Sequence, residues 1–243
     1  AMGRARGGLQ DRREVEVGHP EVGEVCRLRG RVVEGEPGVD LEAVGRHRDH
    51  ASRARAVRAG GWPRTIGTEL RGKTLGVVGM GQIGKAVCRR AVGFGLRLAA
   101  YDKFPDTRFA ASWGVRLLPL DALLAEADIL SLHAPASPET HHLINRESLA
   151  RMKPGALLVN TARGDLVDED ALAEALANGQ LGGAAADVFA AEPPRGSPLL
   201  ALDNFIATPH SAAQTADGLR AMGEITAENA LRVLAGGTPL FQV

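Results

Sequence analysis

Three residues in the second half of the chain carry the chemistry that a carbonyl group needs: Arg163 in "NTARG", Glu192 in "DVFAAEP" and His210 in "ATPH". Arginine offers a planar cation that holds a carboxylate at two points. Histidine offers a proton donor whose ordinary pKa lies near neutrality. Glutamate offers a carboxylate that orients an imidazole and favours its charged form. Each follows a short apolar run: Arg163 comes after "LLVNTA", Glu192 after "VFAA" and His210 after "FIATP", while Asp187 ends "AAAD". Singly, they have ordinary readings as a surface arginine, a loop-capping glutamate and a loop histidine. Together at strand ends, they describe a site that grips a carboxylate and protonates the carbonyl beside it.

Upstream lies "LGVVGMGQIGKAV" (75–87), an apolar run that meets Gly79, Gly81 and Gly84 before the pattern turns helical. Gly79 permits a tight turn, Gly81 lets a diphosphate approach the main chain, and Gly84 lets helix and strand pack closely. The N–H groups of Gln82 and Ile83 stand free at the helix start and face an anion, with the helix dipole aiding them. The next strand ends at Asp102, 18 residues past Gly84. An acid there accepts from both ribose hydroxyls and repels a 2′-phosphate, which favours NAD over NADP. Lys103, its neighbour, works against that preference.

These residues need elements to hold them. Strands are expected at 74–79, 96–102, 114–118, 128–135, 155–160, 182–189 and 204–210. Helices are expected at 82–95, 120–127, 145–152 (with Asn145 as N-cap), 168–179 and 215–237. Strands alternating with helices make an α/β protein with a doubly wound parallel sheet, and the ligand then sits beyond the carboxyl ends of the strands. The composition agrees: 243 residues, 44% hydrophobic, with Lys+Arg and Asp+Glu both totalling 29. That neutral balance favours neither nucleic acid nor an anionic membrane. Two cysteines are too few for a disulfide framework and read as reduced thiols in a cytoplasmic protein. No run approaches the ~18 apolar residues of a membrane span. No metal site is expected.

"LRGKTLGVVGMGQIGKAV", "HAPASPETHHLINRESLARMKPGALLVNTARGDLVDEDALAEAL", "AADVFAAEPP" and "ATPHSAAQT" together resemble the D-isomer-specific 2-hydroxyacid dehydrogenases, from about Val57 to the C-terminus. The resemblance implies a Rossmann-type NAD-binding domain and hydride transfer between nicotinamide and a small D-2-hydroxy or 2-keto acid. It makes Arg163 the substrate-binding arginine, Glu192 the carboxylate partner and His210 the acid/base. It places Gln82 and Ile83 on the pyrophosphate, Asp102 on the ribose and Ala134 beside the nicotinamide half. Thr161 and Ala162 become backbone contacts, Asp187 a partner of the carboxamide, and Ser211 to Ala213 the loop beside the ring. It also implies a homodimer built on the nucleotide-binding lobe and the segment near Trp62. His133, His141 and His142 take no catalytic role in the pattern.

Residues 1–61 depart from it. They are rich in Arg, Gly, Glu and Val and lack the expected strand–helix alternation. Three parts are therefore expected: 1–61, an atypical remnant that leaves the substrate lobe incomplete; 62–214, the dinucleotide-binding domain; and 215–243, a helix returning toward the substrate lobe. Without a full opposing lobe, turnover is expected to be impaired. The alternative is a catalytically weak NAD(H)-binding scaffold or sensor.

Overall fold

Thr74–Val78 (β1) is apolar almost throughout, and every residue in it is buried. A strand covered on both faces has this continuous rather than alternating pattern. In the computed structural model, which describes residues 56–62, 64 and 68–240, β1 is an interior strand of a seven-stranded sheet, between β2 and β4. The other strands are β2 (Arg97–Tyr101), β3 (Arg116–Leu117), β4 (Ile129–Leu132), β5 (Ala156–Asn160), β6 (Leu181–Ala186) and β7 (Phe205–Ala207). Their order is β3-β2-β1-β4-β5-β6-β7 and every pairing is parallel. The chain runs outward from β1 to β3, then returns to β4 on the other side of β1. Such a reversal opens a crevice at the carboxyl ends of β1 and β4.

Helices cover both faces. One cluster packs α1 (Gln82–Ala91) and α2 (Thr107–Trp113) on the sheet through Val87, Ala91, Phe109 and Ala110. The other packs α3 (Leu120–Glu126), α4 (Arg146–Arg151) and α5 (Glu169–Ala177) through Leu123, Leu124, Leu149, Leu172 and Leu176. The helix starts follow local rules: Asp106, Asn145 and Asp168 each accept a backbone N–H of the first turn of α2, α4 and α5. The last helix, α6 (Ala216–Leu234), is capped by Thr215, and Gly218 is its one buried residue.

Most expected elements stand, with shorter bounds. The helix expected over 82–95 ends at Ala91, and a 3₁₀ turn over Val92–Phe94 stops at Gly95 with φ 69°. The third strand shrinks to two residues, and those expected at 182–189 and 204–210 end at Ala186 and Ala207, so that Asp187 and His210 sit in loops. Helix α2 occupies what pattern reading leaves as a connection; Asp106 opens it and Gly114, at φ 64°, closes it. Nearly all of residues 1–61 lies outside the described residues, Cys26 included. Cys88 is fully buried, and burial pushes its thiol up to about 12, which makes it an inert core residue. No helix among the described residues is long and apolar enough to cross a membrane.

Candidate active site

At the carboxyl edge of the sheet, the three glycines of the first turn fall into two kinds. Gly79 has φ +94°, and a Cβ on it would lie 2.7 Å from the Ala134 nitrogen. A Cβ on Gly84 would lie 2.0 Å from the Gly79 oxygen. These two glycines are required by the fold, the first by its backbone angle and by the closeness of β4, the second by helix packing. Gly81 differs: its φ is −68°, and a Cβ on it would meet no atom of the described residues within 4 Å. Nothing among the described residues needs a glycine there. Gly81 is also the N-cap of α1, with no side chain capping the helix and no acid in its first turn. The loop therefore leaves both open space and unsatisfied N–H groups, which fits a diphosphate.

Asp102 ends β2 beside this turn. Its Oδ2 accepts the Met80 N–H at 2.5 Å and its Oδ1 the Phe104 N–H at 2.7 Å. The carboxylate thus holds the glycine turn in shape, a task not foreseen from sequence, and keeps further acceptor capacity for a ribose. Lys103 turns instead to Glu139, 3.3 Å away on the exposed surface. Across the crevice Ala134 follows β4 and adjoins Gly79. His133, next to it, lies 2.9 Å from the Ser131 hydroxyl through Nε2, and burial pushes its imidazole down to about 4, so it is neutral at pH 7.

The remaining site residues come from the ends of β5, β6 and β7, which lie side by side in register: Asn160 pairs with Ala186, and Ala186 with Ala207. Asn160 is 3% exposed. Its Oδ1 accepts the Ala162 N–H at 3.1 Å and its Nδ2 donates to the Arg163 carbonyl at 2.8 Å, closing the turn that presents Thr161, Ala162 and Arg163. The Arg163 side chain is exposed and donates to the Ala162 carbonyl at 2.6 Å. Directly after it, Gly164 packs so tightly that a Cβ would lie 2.0 Å from the Phe189 carbonyl carbon. The arginine turn and the Asp187–Glu192 loop are thereby locked together.

His210 and Glu192 meet as the sequence suggests, with Nδ1 2.9 Å from Oε2. Glu192 Oε1 accepts the Phe189 N–H at 3.1 Å. The imidazole and then this N–H hold the Glu192 carboxyl below the usual carboxylate range. His210 adopts a left-handed backbone, φ 51°, rare for a residue with a Cβ. A cavity of about 360 Å³, lined largely by Phe189, Pro193, Ala207 and Pro209, adjoins the pair. Asp187, Ser211 and Ala212 share the same loop region: the carboxylate accepts both N–H groups at 2.9 Å. Ala213 follows directly. A larger cavity, about 680 Å³, lies where strands β1, β4 and β5 begin, and Lys153 there is 2.9 Å from Asp128. It is at the wrong edge for the groups above. Asn160 and Gly164 escaped sequence reasoning; a polar residue ending an otherwise apolar strand, three before Arg163, was the available signal.

Residues 43–212 match the family model described as D-isomer specific 2-hydroxyacid dehydrogenase, NAD binding domain. The chain belongs to this family. Its NAD-binding domain is the doubly wound sheet described above, and NAD is the cofactor of that domain. D-3-phosphoglycerate dehydrogenase of Methanocaldococcus jannaschii is 47% identical over 184 residues, or 74% of this chain and 35% of that protein. Glyoxylate reductase of Korarchaeum cryptofilum is 45% identical over 192 residues, or 76% of this chain and 58% of that protein. Among solved structures, D-lactate dehydrogenase with NAD+ from Lactobacillus jensenii superposes with a TM-score of 0.73 at 31% identity, over 83% of this chain and 65% of that one. This chain thus spans about a third of the length of the first relative and less than two thirds of the other two.

Proposed function

We propose that the protein is an NAD-dependent oxidoreductase that interconverts a small D-2-hydroxy acid and its 2-keto acid. The observation that carries this reading is the His210–Glu192 pair at 2.9 Å, held at the same sheet edge as a glycine turn that leaves space for a diphosphate. A protein that uses the fold only for association has no need of that pair.

In this reading Gln82 and Ile83 hold the pyrophosphate through their N–H groups, with Gly81 yielding space, and Asp102 accepts from the ribose. Ala134, Thr161, Ala162, Asp187, Ser211 and Ala213 surround the nicotinamide end. Held by these residues, NAD(H) would supply the hydride-transfer chemistry of the reaction. Arg163 holds the substrate carboxylate at two points. His210 gives a proton from Nε2 to the carbonyl oxygen in reduction and takes it back in oxidation, because Nδ1 faces Glu192. Glu192 fixes the ring and steadies its charge as the proton moves.

The reading extends to organisation. Residues 1–61 stand as an atypical remnant of a substrate lobe, 62–214 as the dinucleotide domain and 215–243 as a helix returning toward that lobe. A cytoplasmic homodimer belongs to the same proposal, and Trp62, 75% exposed, supports it as apolar surface that a partner would cover. The alternative is a weakly active NAD(H)-binding scaffold or sensor. Following NADH oxidation with glyoxylate, hydroxypyruvate and phosphohydroxypyruvate separates the two, with His210→Asn as control. Turnover that the substitution abolishes supports the dehydrogenase; firm NADH binding without turnover of any of the three supports the scaffold.

A further inference from the structure

We propose that Asp187 is a positioning residue for the acid/base group, holding the Thr208–Ala212 loop in the shape that turns the His210 ring toward Glu192. Asp187 is 4% exposed, and its carboxylate takes three donors from that loop. Oδ1 accepts the Thr208 hydroxyl at 2.5 Å and the Ser211 N–H at 2.9 Å, and Oδ2 accepts the Ala212 N–H at 2.9 Å. These donors bracket Pro209 and His210 on both sides. Between them His210 sits at φ 51°, a conformation that persists in a non-glycine residue only where its surroundings impose it.

The anchor is itself fixed. The Asp187 N–H donates to the Asn160 carbonyl at 3.0 Å, and the Thr208 N–H donates to the Ala186 carbonyl at 3.0 Å. One end of β6 therefore controls both halves of the pair. Asp187 sets the backbone of His210, and Glu192, five residues later, takes its ring nitrogen. A carboxylate offers about four lone-pair sites, and three are committed to the loop. Asp187 therefore holds the His210 loop and keeps acceptor capacity toward the nicotinamide end. The kinetic part of this inference rests on the dehydrogenase reading; the structural part does not.

The test uses the full chain with Asp187→Asn, which swaps an acceptor for an NH₂ group facing loop donors, and with Thr208→Val, which removes one bond and leaves the carboxylate in place. Nitrogen-15 NMR of the substrate-free protein reads the His210 Nδ1 proton and the exchange of the Ser211 and Ala212 amides. With D187N the Nδ1 resonance is expected to vanish and both amides to exchange at least about tenfold faster, with T208V moving the same way to a lesser extent. Kinetically, kcat falls about 100-fold, the cost of a misplaced group, and that fall exceeds any loss of NADH affinity. Unchanged ring and amide signals in D187N overturn the proposal. So does a Kd for NADH that rises while kcat holds, since Asp187 then serves the cofactor and not the His210 loop. If D187N does not fold, T208V decides by the same signals. If the parent shows no turnover, the dehydrogenase reading fails, and the NMR comparison still decides the role of Asp187.

Discussion

Replacing Gly81 by alanine separates a glycine that the fold needs from one that the ligand needs. The backbone of Gly81, at φ −68° and ψ −164°, is open to any residue, and the new Cβ meets no atom of the described residues within 4 Å. The smaller entropy of the unfolded chain stabilises the variant by about 0.4–1 kcal/mol. Alanine is a poorer N-cap than glycine by an amount of the same order, about 0.5–1 kcal/mol, so stability hardly changes. Gly84→Ala is the contrast. Its Cβ would lie 2.0 Å from the Gly79 oxygen, a backbone atom with nowhere to go. Overpacking of that kind costs about 1–3 kcal/mol or more, and a gain of about 1 kcal/mol in helix propensity offsets only part of it. The effects on cofactor are different. A methyl group at Gly81 occupies the space where a diphosphate approaches the main chain and costs at least one charge-assisted hydrogen bond, about 1.5–3 kcal/mol, or roughly 10–100-fold in Kd. Thermal unfolding and isothermal titration with NADH measure both quantities. A Gly81→Ala protein that binds NADH as the parent does would falsify the assignment of this turn as the diphosphate site.

Asp102→Ala removes the acceptor of the Met80 N–H together with the ribose contact, so NADH binding is expected to weaken by about tenfold or more; a titration curve identical to the parent's refutes the role. Arg163→Lys keeps the charge but loses the two-point grip, and KM for the keto acid should rise by about tenfold with Kd for NADH unchanged; a matching loss of NADH affinity would place Arg163 on the cofactor instead. His133 gives a pH signature. Its folded pKa of about 4 lies below the ordinary 6.5, so as the pH falls through 6.5 the unfolded chain takes a proton that the folded protein refuses. Stability contributed by the neutral ring is present above 6.5 and is lost progressively down to about 4, amounting to about 2 kcal/mol between pH 7 and pH 5. Urea unfolding of His133→Gln should show a pH 7-to-5 loss smaller by about that amount; equal losses in the two proteins contradict a half-buried imidazole held neutral.

Much of the sheet was legible because its signals are local. β1, β4 and β5 are short apolar runs, and Asn145, Gly179 and Gly95 punctuate helices within a few residues of the bonds they make or the angles they permit. Helix α2 was missed although its cues, Asp106 and Gly114, are ordinary, because seven residues with two buried apolar positions make too short a period to see. The first strand-to-helix turn was legible for the same local reason. Spacing placed three glycines there, and the structure divides them between fold and ligand.

The sequence by itself determined the parallel α/β class, the dinucleotide turn, and the identity of Arg163, Glu192 and His210 as strand-end groups, since hydrophobic period, turn chemistry and side-chain type are properties of short windows. Only the tertiary structure decided what those groups touch. Asp102 reaches Met80 across 22 residues, Asp187 reaches Ala212 across 25, and Gly164 meets Phe189 from the loop that follows the neighbouring strand. A carboxylate accepts from whatever donors the packed strands bring within 3 Å, and that register is a property of the whole sheet, which no window of sequence contains.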